Sequence, residues 1–222
     1  KKTKQLGNGK TLSELTRLNV IYDFRKNDIK NGGHGAPLVP VFHKLLQKKL
    51  NLKTPVVFVN IGGISNLSYL DKDNEMISFD SGPGNFLIDK LLQLKSNNKI
   101  QFDKNGQIAF RGKVDQNILN SYLSNPYYSS LPPKSLDVND FNFDLERNTS
   151  VEDLITTLSE LTSLTIANSL NFFSNKPQKI ILCGGGRKNK YIYDRIEKIS
   201  KISTISIDEY KINGDFIESQ AF

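Results

Sequence analysis

Residues 56–94 constrain the fold more than any other part of the chain. They read VVFVNIGGISNLSYLDKDNEMISFDSGPGNFLIDKLLQL. Three runs rich in β-branched and aromatic residues, at 56–62, 65–70 and 75–80, are separated only by Gly62-Gly63 and by the turn DKDN. At SGPGN the apolar period changes, and 85–94 has the spacing of a helix. Three strands joined by tight turns pair antiparallel, so a plain alternating parallel architecture is excluded.

The later segments add βα units to that meander. KIILCGGG (179–186) predicts a buried strand entering a glycine turn, NKYIYDRIEKIS a helix and STISID a strand. VEDLITTLSELTSLTIANSLNFF (151–173) is the longest expected helix, with Leu154, Leu158, Leu161 and Thr165 on one stripe and acids at its start. VDQNILNSYL also reads as helix, FDKNGQIAF as a short hairpin about Asn-Gly, and 125–143 as an aromatic-rich loop. The expected fold class is therefore α/β, a mixed sheet flanked by helices.

Upstream, residues 1–18 are polar without a clear period. LNVIYDF (18–24) predicts a strand ending near Asp23, and 25–40 a loop punctuated by glycines and prolines. A helix is expected from Pro40, with Leu45, Leu46 and Leu50 on one face. NLKTP (51–55) marks a boundary, dividing the chain into 1–54 and 55–222.

The 222 residues suffice for one large domain or two small ones. Net charge is +7, but the lysines are scattered and accompany abundant Asn and Ile, as a coding bias would produce. The aromatics lie away from the basic runs, so a nucleic-acid partner is not expected. No run is long enough to span a membrane. One cysteine, Cys183, excludes an internal disulfide. With no basic-then-apolar leader, the reading is a reducing cytoplasm.

Three glycine clusters fall where strands end: Gly62-Gly63, Gly82-Pro83-Gly84 and Gly184-Gly185-Gly186. Glycine lets main-chain N–H groups approach an anion, and three such turns favour nucleotide or phosphate binding. GNGKT (7–11) imitates a Walker tail, but no strand precedes it and the first glycine of that motif would fall at Lys4.

FVNIGGISNLSYL resembles the second phosphate hairpin of the actin/hexokinase/Hsp70 superfamily, and ILCGGGRKN its adenosine motif. More specifically, DFRKNDIKNGGHGAPLVPVFH, NIGGISNL, FDSGPGN, PPKS, ELTSLTIANSL and CGGGRKN together resemble the anhydro-N-acetylmuramic acid kinase family. The resemblance implies an actin-like ATPase (ribonuclease H-like) lobe at 55–222 and a remnant of the first lobe at 1–54. It implies a bacterial enzyme that uses ATP, Mg²⁺ and water to open 1,6-anhydro-N-acetylmuramic acid and phosphorylate O6, and a homodimer when complete. The family opens with a Ser-Gly-Thr-Ser-x-Asp-Gly phosphate loop and a Cys-His-Gly-Gln segment. Neither is present, so the expectation is an incomplete copy, inactive alone; a remnant that binds nucleotide weakly is the alternative. Val138-Asn139 also stand where the family carries Arg-Glu.

By the same resemblance Asp80 takes the place of the catalytic base. Water is a poor nucleophile, and a carboxylate beside a phosphate cradle can take its proton. Asn60, Gly62, Gly63, Gly82, Gly84, Gly184, Gly185 and Asn189 are implied around the nucleotide. Asn60 meets a phosphate or the Mg²⁺ shell, or stabilises its turn. Arg25 meets a lactyl carboxylate or a phosphate, and Glu218 orients sugar or water. Asp23 and Asp28 flank Arg25 as a charged loop, solvated or facing a cleft. His34 reads as polar filler, His43 as a packing residue and Cys183 as a small apolar one.

Overall fold

The computed structural model describes residues 6–33, 35, 38–73, 75–141 and 149–221. His34 and the end of the 125–143 loop lie outside the described residues. By packing, the chain divides into two units, Lys1–Leu38 and Val39–Phe222.

The first unit contains α1 (Gly9–Thr16) and α2 (Phe24–Lys30). The Asn8 side chain accepts from Thr11 N at 3.1 Å and starts α1, a helix that the polar sequence concealed. The strand expected at 18–24 does not form. A strand exists through its partner, and this stretch pairs with none among the described residues. The expected loop at 25–30 is instead α2, a run without Gly or Pro that ends before Gly32, whose φ is +88°.

The second unit begins at Val39, upstream of the division expected at 54, because Val39, Leu46 and Leu52 share a core with Val56 and Phe58. α3 (Pro40–Lys49) starts at Pro40 as expected, but its buried face is Pro40, His43 and Leu46, whereas Leu45 is exposed. A five-stranded sheet follows, built from β1 (Val56–Ile61), β2 (Ile64–Leu70), β3 (Met76–Pro83), β4 (Lys179–Cys183) and β5 (Thr204–Ser206), in the order β3-β2-β1-β4-β5. β2 pairs antiparallel with both β1 and β3, while β4 pairs parallel with β1 and β5 with β4. A three-stranded meander extended by two parallel strands is the expected actin-like, ribonuclease H-like lobe.

β1 is buried on both faces, with its side chains alternating between two cores. Val57, Val59 and Ile61 pack with α4 (Phe86–Lys95), α5 (Gln116–Leu123), α6 (Val151–Ser169) and α7 (Lys190–Ser200). Val56 and Phe58 face α3 and Ile217 of the short α8 (Ile217–Ala221).

α6 is buried almost all round rather than along one stripe. It can be, despite many Ser and Thr, because hydroxyls bond back along the helix: Thr157 to Asp153 O at 2.7 Å, Ser163 to Ser159 O at 2.8 Å and Ser169 to Thr165 O at 2.8 Å. The hairpin expected at 102–110 is a single 3₁₀ turn, Lys104–Gly106. The Asp103 carboxylate accepts from Ile108 N at 2.9 Å and Ala109 N at 3.1 Å, folding the segment on itself.

Candidate active site

A row of polar side chains crosses the sheet. Asp80 on β3 is the register partner of Asn66 on β2, Asn66 of Asn60 on β1, and Asn60 of Cys183 on β4. Register partners share a face, here the face covered by α3 and α8. Asn60 Nδ2 donates to Glu218 Oε1 of α8 at 3.2 Å, so two expected site residues 158 positions apart meet. Asp80 and Asn60 are buried, and Asn66 is half-buried. Asp80 does not end its strand: β3 runs on to Pro83, and the register shift at Ser65/Asn66 absorbs the extra residue.

β3 is the sheet's edge at Asp80, and the 126–136 loop covers it. Asp80 N donates to Lys134 O at 3.2 Å, Leu136 N to Asp80 Oδ2 at 2.8 Å and the Tyr127 hydroxyl to Asp80 O at 2.5 Å. Burial, and then the Asp80 charge, raise the Tyr127 pKa, so the phenol stays a donor. Lys134 anchors the loop: buried, it donates to Tyr127 O at 3.0 Å and Tyr128 O at 3.4 Å. Its Nζ lies 4.4 Å from the Phe172 ring centre, 4.6 Å from Tyr127 and 5.7 Å from Phe79. Burial lowers its pKa. A carboxylate held in this way has a defined direction in which to accept a proton.

The expected glycines divide by what surrounds them. A side chain at Gly84 would overlap Gly62 O, and one at Gly82 would lie 2.7 Å from Thr165 Oγ1. Gly84 N donates to Gly63 O at 2.8 Å and Asn85 N to Gly62 O at 2.7 Å, so these glycines let two turns and α6 close together. Gly62 and Gly63 have room outside them; nothing lies nearer to a Cβ at Gly63 than Phe86 Cβ at 3.7 Å. Gly184 has φ +74°, and a Cβ there would sit 2.5 Å from Asn60 Oδ1, which ties this turn to the polar row. Gly186 packs on Ile61, whereas Gly185 is open, with Asn85 Nδ2 3.9 Å from its ideal Cβ.

Gly185 lines a cavity of about 420 Å³ together with Asn85, Asp89, Phe102, Lys104 and Asn189. Asn189, expected at the nucleotide, also caps α7, accepting from Ile192 N at 3.2 Å. Asp80, Asn60 and Gly62 do not line this cavity. They connect to it residue by residue, through Gly184 beside Asn60 and through Asn85 bonded to Gly62.

Arg187 holds the Gly184 turn. Its buried guanidinium takes both Asp208 oxygens, at 2.7 and 3.0 Å, Asp215 at 2.6 Å and Gly184 O at 2.9 Å. Hydrogen bonds from Arg187 and Lys188 hold the Asp215 pKa down at about 2. Arg25 belongs to the first unit, where it donates to Gly35 O, while Asp28 accepts from Gly35 N at 2.6 Å and Asp23 pairs with Lys26. His43 is the packing residue expected, stacked on Phe58 with centroids 4.7 Å apart. Burial raises the Cys183 thiol pKa to about 12, consistent with its small apolar role.

Asn66 and Tyr127 escaped the sequence reading, while Lys134 and Arg187 lie inside the PPKS and CGGGRKN motifs without a role being assigned to them. A signal existed for Asn66: a tight Gly-Gly hairpin after Asn60 places the two asparagines opposite each other. For the loop over Asp80 the PPKS motif marked the segment but not its contacts, which join segments about fifty residues apart.

The profile of the anhydro-N-acetylmuramic acid kinase family matches residues 1–222. A curated anhydro-N-acetylmuramic acid kinase from Pelagibacter ubique is 42% identical over 99% of this chain and 60% of its own length. That from Zymomonas mobilis is 37% identical over 99% and 60%. A solved xylulose kinase from Lactobacillus acidophilus overlays with a TM-score of 0.45 at 13% identity, covering 76% of this chain and 39% of that one, a likeness too weak to build on. The chain thus spans about 60% of the length of the curated relatives it matches. Among the described residues no helix is long and apolar enough to cross a membrane. On the full-length profile match, the chain belongs to the anhydro-N-acetylmuramic acid kinase family.

Proposed function

We propose that the protein containing this chain is an ATP-dependent kinase of 1,6-anhydro-N-acetylmuramic acid, acting in the cytoplasm on sugars released from the cell wall. The observation that carries the reading is the placement of Asp80. Its carboxylate is fixed by Leu136 N–H and lies on one row with Asn66 and Asn60, which Glu218 of α8 meets, and that row adjoins an open glycine turn. In this reading Asp80 takes a proton from water as the water oxygen attacks the anomeric carbon. The bond from that carbon to O6 breaks, and O6 accepts the γ-phosphoryl group of ATP. Phosphoryl transfer needs positioning and charge stabilisation more than covalent help, which suits a cradle of glycine backbone.

The magnesium ion of this reading comes in with the nucleotide and takes one or two protein oxygens and the phosphates. Asn60 of the row and Glu218 beside it are the oxygen ligands that would meet it. When bound, the ion supplies neutralisation of phosphate charge.

The test uses the gene product that contains these residues, incubated with ATP and the purified anhydro sugar. Sugar-dependent ADP release should accompany a product heavier by one water and one phosphoryl group. ADP release independent of the sugar, or a phosphorylated product that keeps its anhydro ring, would contradict the reading.

A further inference from the structure

Helix α8 carries Glu218 to Asn60, yet its own length does not explain why it stays there. It has 5 residues, far below the roughly 12–15 at which an isolated helix becomes even marginally stable in water. The bond from Asn60 Nδ2 to Glu218 Oε1, at 3.2 Å, is long for one to a carboxylate and does not hold the helix by itself. Ile217 gives one anchor, buried in the same core as Val56 and Phe58. The other lies just upstream. Asp215 sits in the 3₁₀ turn Gly214–Phe216, which runs directly into α8. Its Oδ1 accepts from Arg187 Nη1 at 2.6 Å. The same Nη1 donates to Gly184 O at 2.9 Å, and Gly184 N donates to Gly214 O at 3.1 Å. One guanidinium nitrogen therefore fastens the turn that enters α8 to the glycine turn that follows β4. The guanidinium is itself fixed. Its side chain is only 2% exposed, and Asp208 takes Nε and Nη2 in a fork that suits the planar group. Asp208 Oδ1 also accepts from Gly214 N at 2.9 Å. Asp208 thus fixes the arginine, and Asp215 connects the arginine to α8.

We infer that Asp215, held by Arg187, is a positioning residue that sets Glu218 against Asn60 and so brings a second carboxylate beside the polar row of Asp80. The inference rests on the kinase reading, in which Glu218 acts at that row, and extends it to the residues behind Glu218. The two ends of the clamp are separable. Loss of the Asp215 carboxylate frees the approach to α8, but Arg187 keeps its bonds to Asp208 and to Gly184 O, so the glycine turn stays in place.

The test measures sugar phosphorylation and ATP affinity of the gene product carrying Asp215→Ala, Asp215→Asn, Glu218→Ala, or Asp215→Ala and Glu218→Ala together. Asp215→Ala should lower kcat at least about tenfold, the scale of a hydrogen bond to a charged group, with calorimetric ATP affinity within about twofold. Asp215→Asn keeps an acceptor for Arg187 Nη1 and should recover part of the loss. Once Glu218 is alanine, Asp215→Ala should cost nothing more in kcat, because the group it positions is gone. In the ligand-free protein, Asp215→Ala should quicken amide hydrogen exchange across 216–221 and leave 179–186 unchanged. Additive losses in the double variant would mean that Asp215 acts by another route and overturn the assignment. Unchanged kcat in Asp215→Ala or in Glu218→Ala, or equal acceleration of exchange in both segments, overturns it as well. These failures leave the kinase reading intact. Absence of sugar phosphorylation by the unmodified protein overturns both.

Discussion

The main-chain N–H of Leu136 lies 2.8 Å from Oδ2 of Asp80, a contact across 56 positions of sequence that fixes the carboxylate on the edge strand of the sheet. The same loop receives Asp80 N and reaches the Asp80 carbonyl through Tyr127. The candidate base is held by a loop whose two ends the Lys134 amine ties together through Tyr127 O and Tyr128 O.

Lys134→Met should keep the bulk of the side chain but remove the donor to the Tyr128 carbonyl and one of the two donors to the Tyr127 carbonyl, which keeps Ser130 N. One unsatisfied acceptor costs about 1–3 kcal/mol, offset in part by no longer burying a charge. The expected result is a lower urea midpoint and a reduced kcat with nucleotide affinity unchanged. Unchanged kcat at full occupancy would show that the loop does not position Asp80.

Gly84→Ala and Gly185→Ala should separate packing from binding. A methyl group at Gly84 overlaps Gly62 O, which is backbone and cannot swing away. Overpacking of this kind costs about 1–3 kcal/mol, visible as a fall in Tm. At Gly185 nothing stands nearer than 3.9 Å. Gly185→Ala should leave Tm within a degree or so and weaken ATP binding, because the methyl enters the cavity. A large fall in Tm for Gly185→Ala would reassign that glycine to structure.

Burial in the apolar environment beside Phe58 pushes the His43 pKa down to about 3. The unfolded chain binds a proton at His43 near pH 6.5, whereas the folded chain does so only near pH 3. The unfolded state therefore binds more protons between those values, and stability falls as pH drops from 6.5 toward 3. His43→Leu should flatten the dependence of the urea midpoint on pH across that window. An unchanged slope would mean that other groups set it.

Much of the lobe was legible in the sequence because its signals are local. Gly62-Gly63 and DKDN dictate the β1–β2–β3 meander, and the change of period after Asn85 dictates α4. The misreadings have physical causes. Val20, Ile21 and Tyr22 have strand propensity, but no described partner pairs with them, and propensity without pairing leaves an irregular segment. The Asn-Gly of 105–106 signals a hairpin, yet the Asp103 carboxylate captured the following N–H groups first. At the site, the family motif placed Asp80 and the glycines but not their supports. Lys134 is a lysine among aromatics in a loop, and only the folded chain reveals that it is buried.

Asp80→Asn tests the central claim most directly. The amide has nearly the shape of the carboxylate but cannot take a proton from water. In the gene product containing this chain, sugar phosphorylation should fall by about 10²–10⁴-fold, as removal of a general base typically costs, while calorimetric affinity for ATP stays within about twofold. Turnover within a few-fold of the unmodified enzyme would contradict the account and reduce Asp80 to a residue that seats the 126–136 loop.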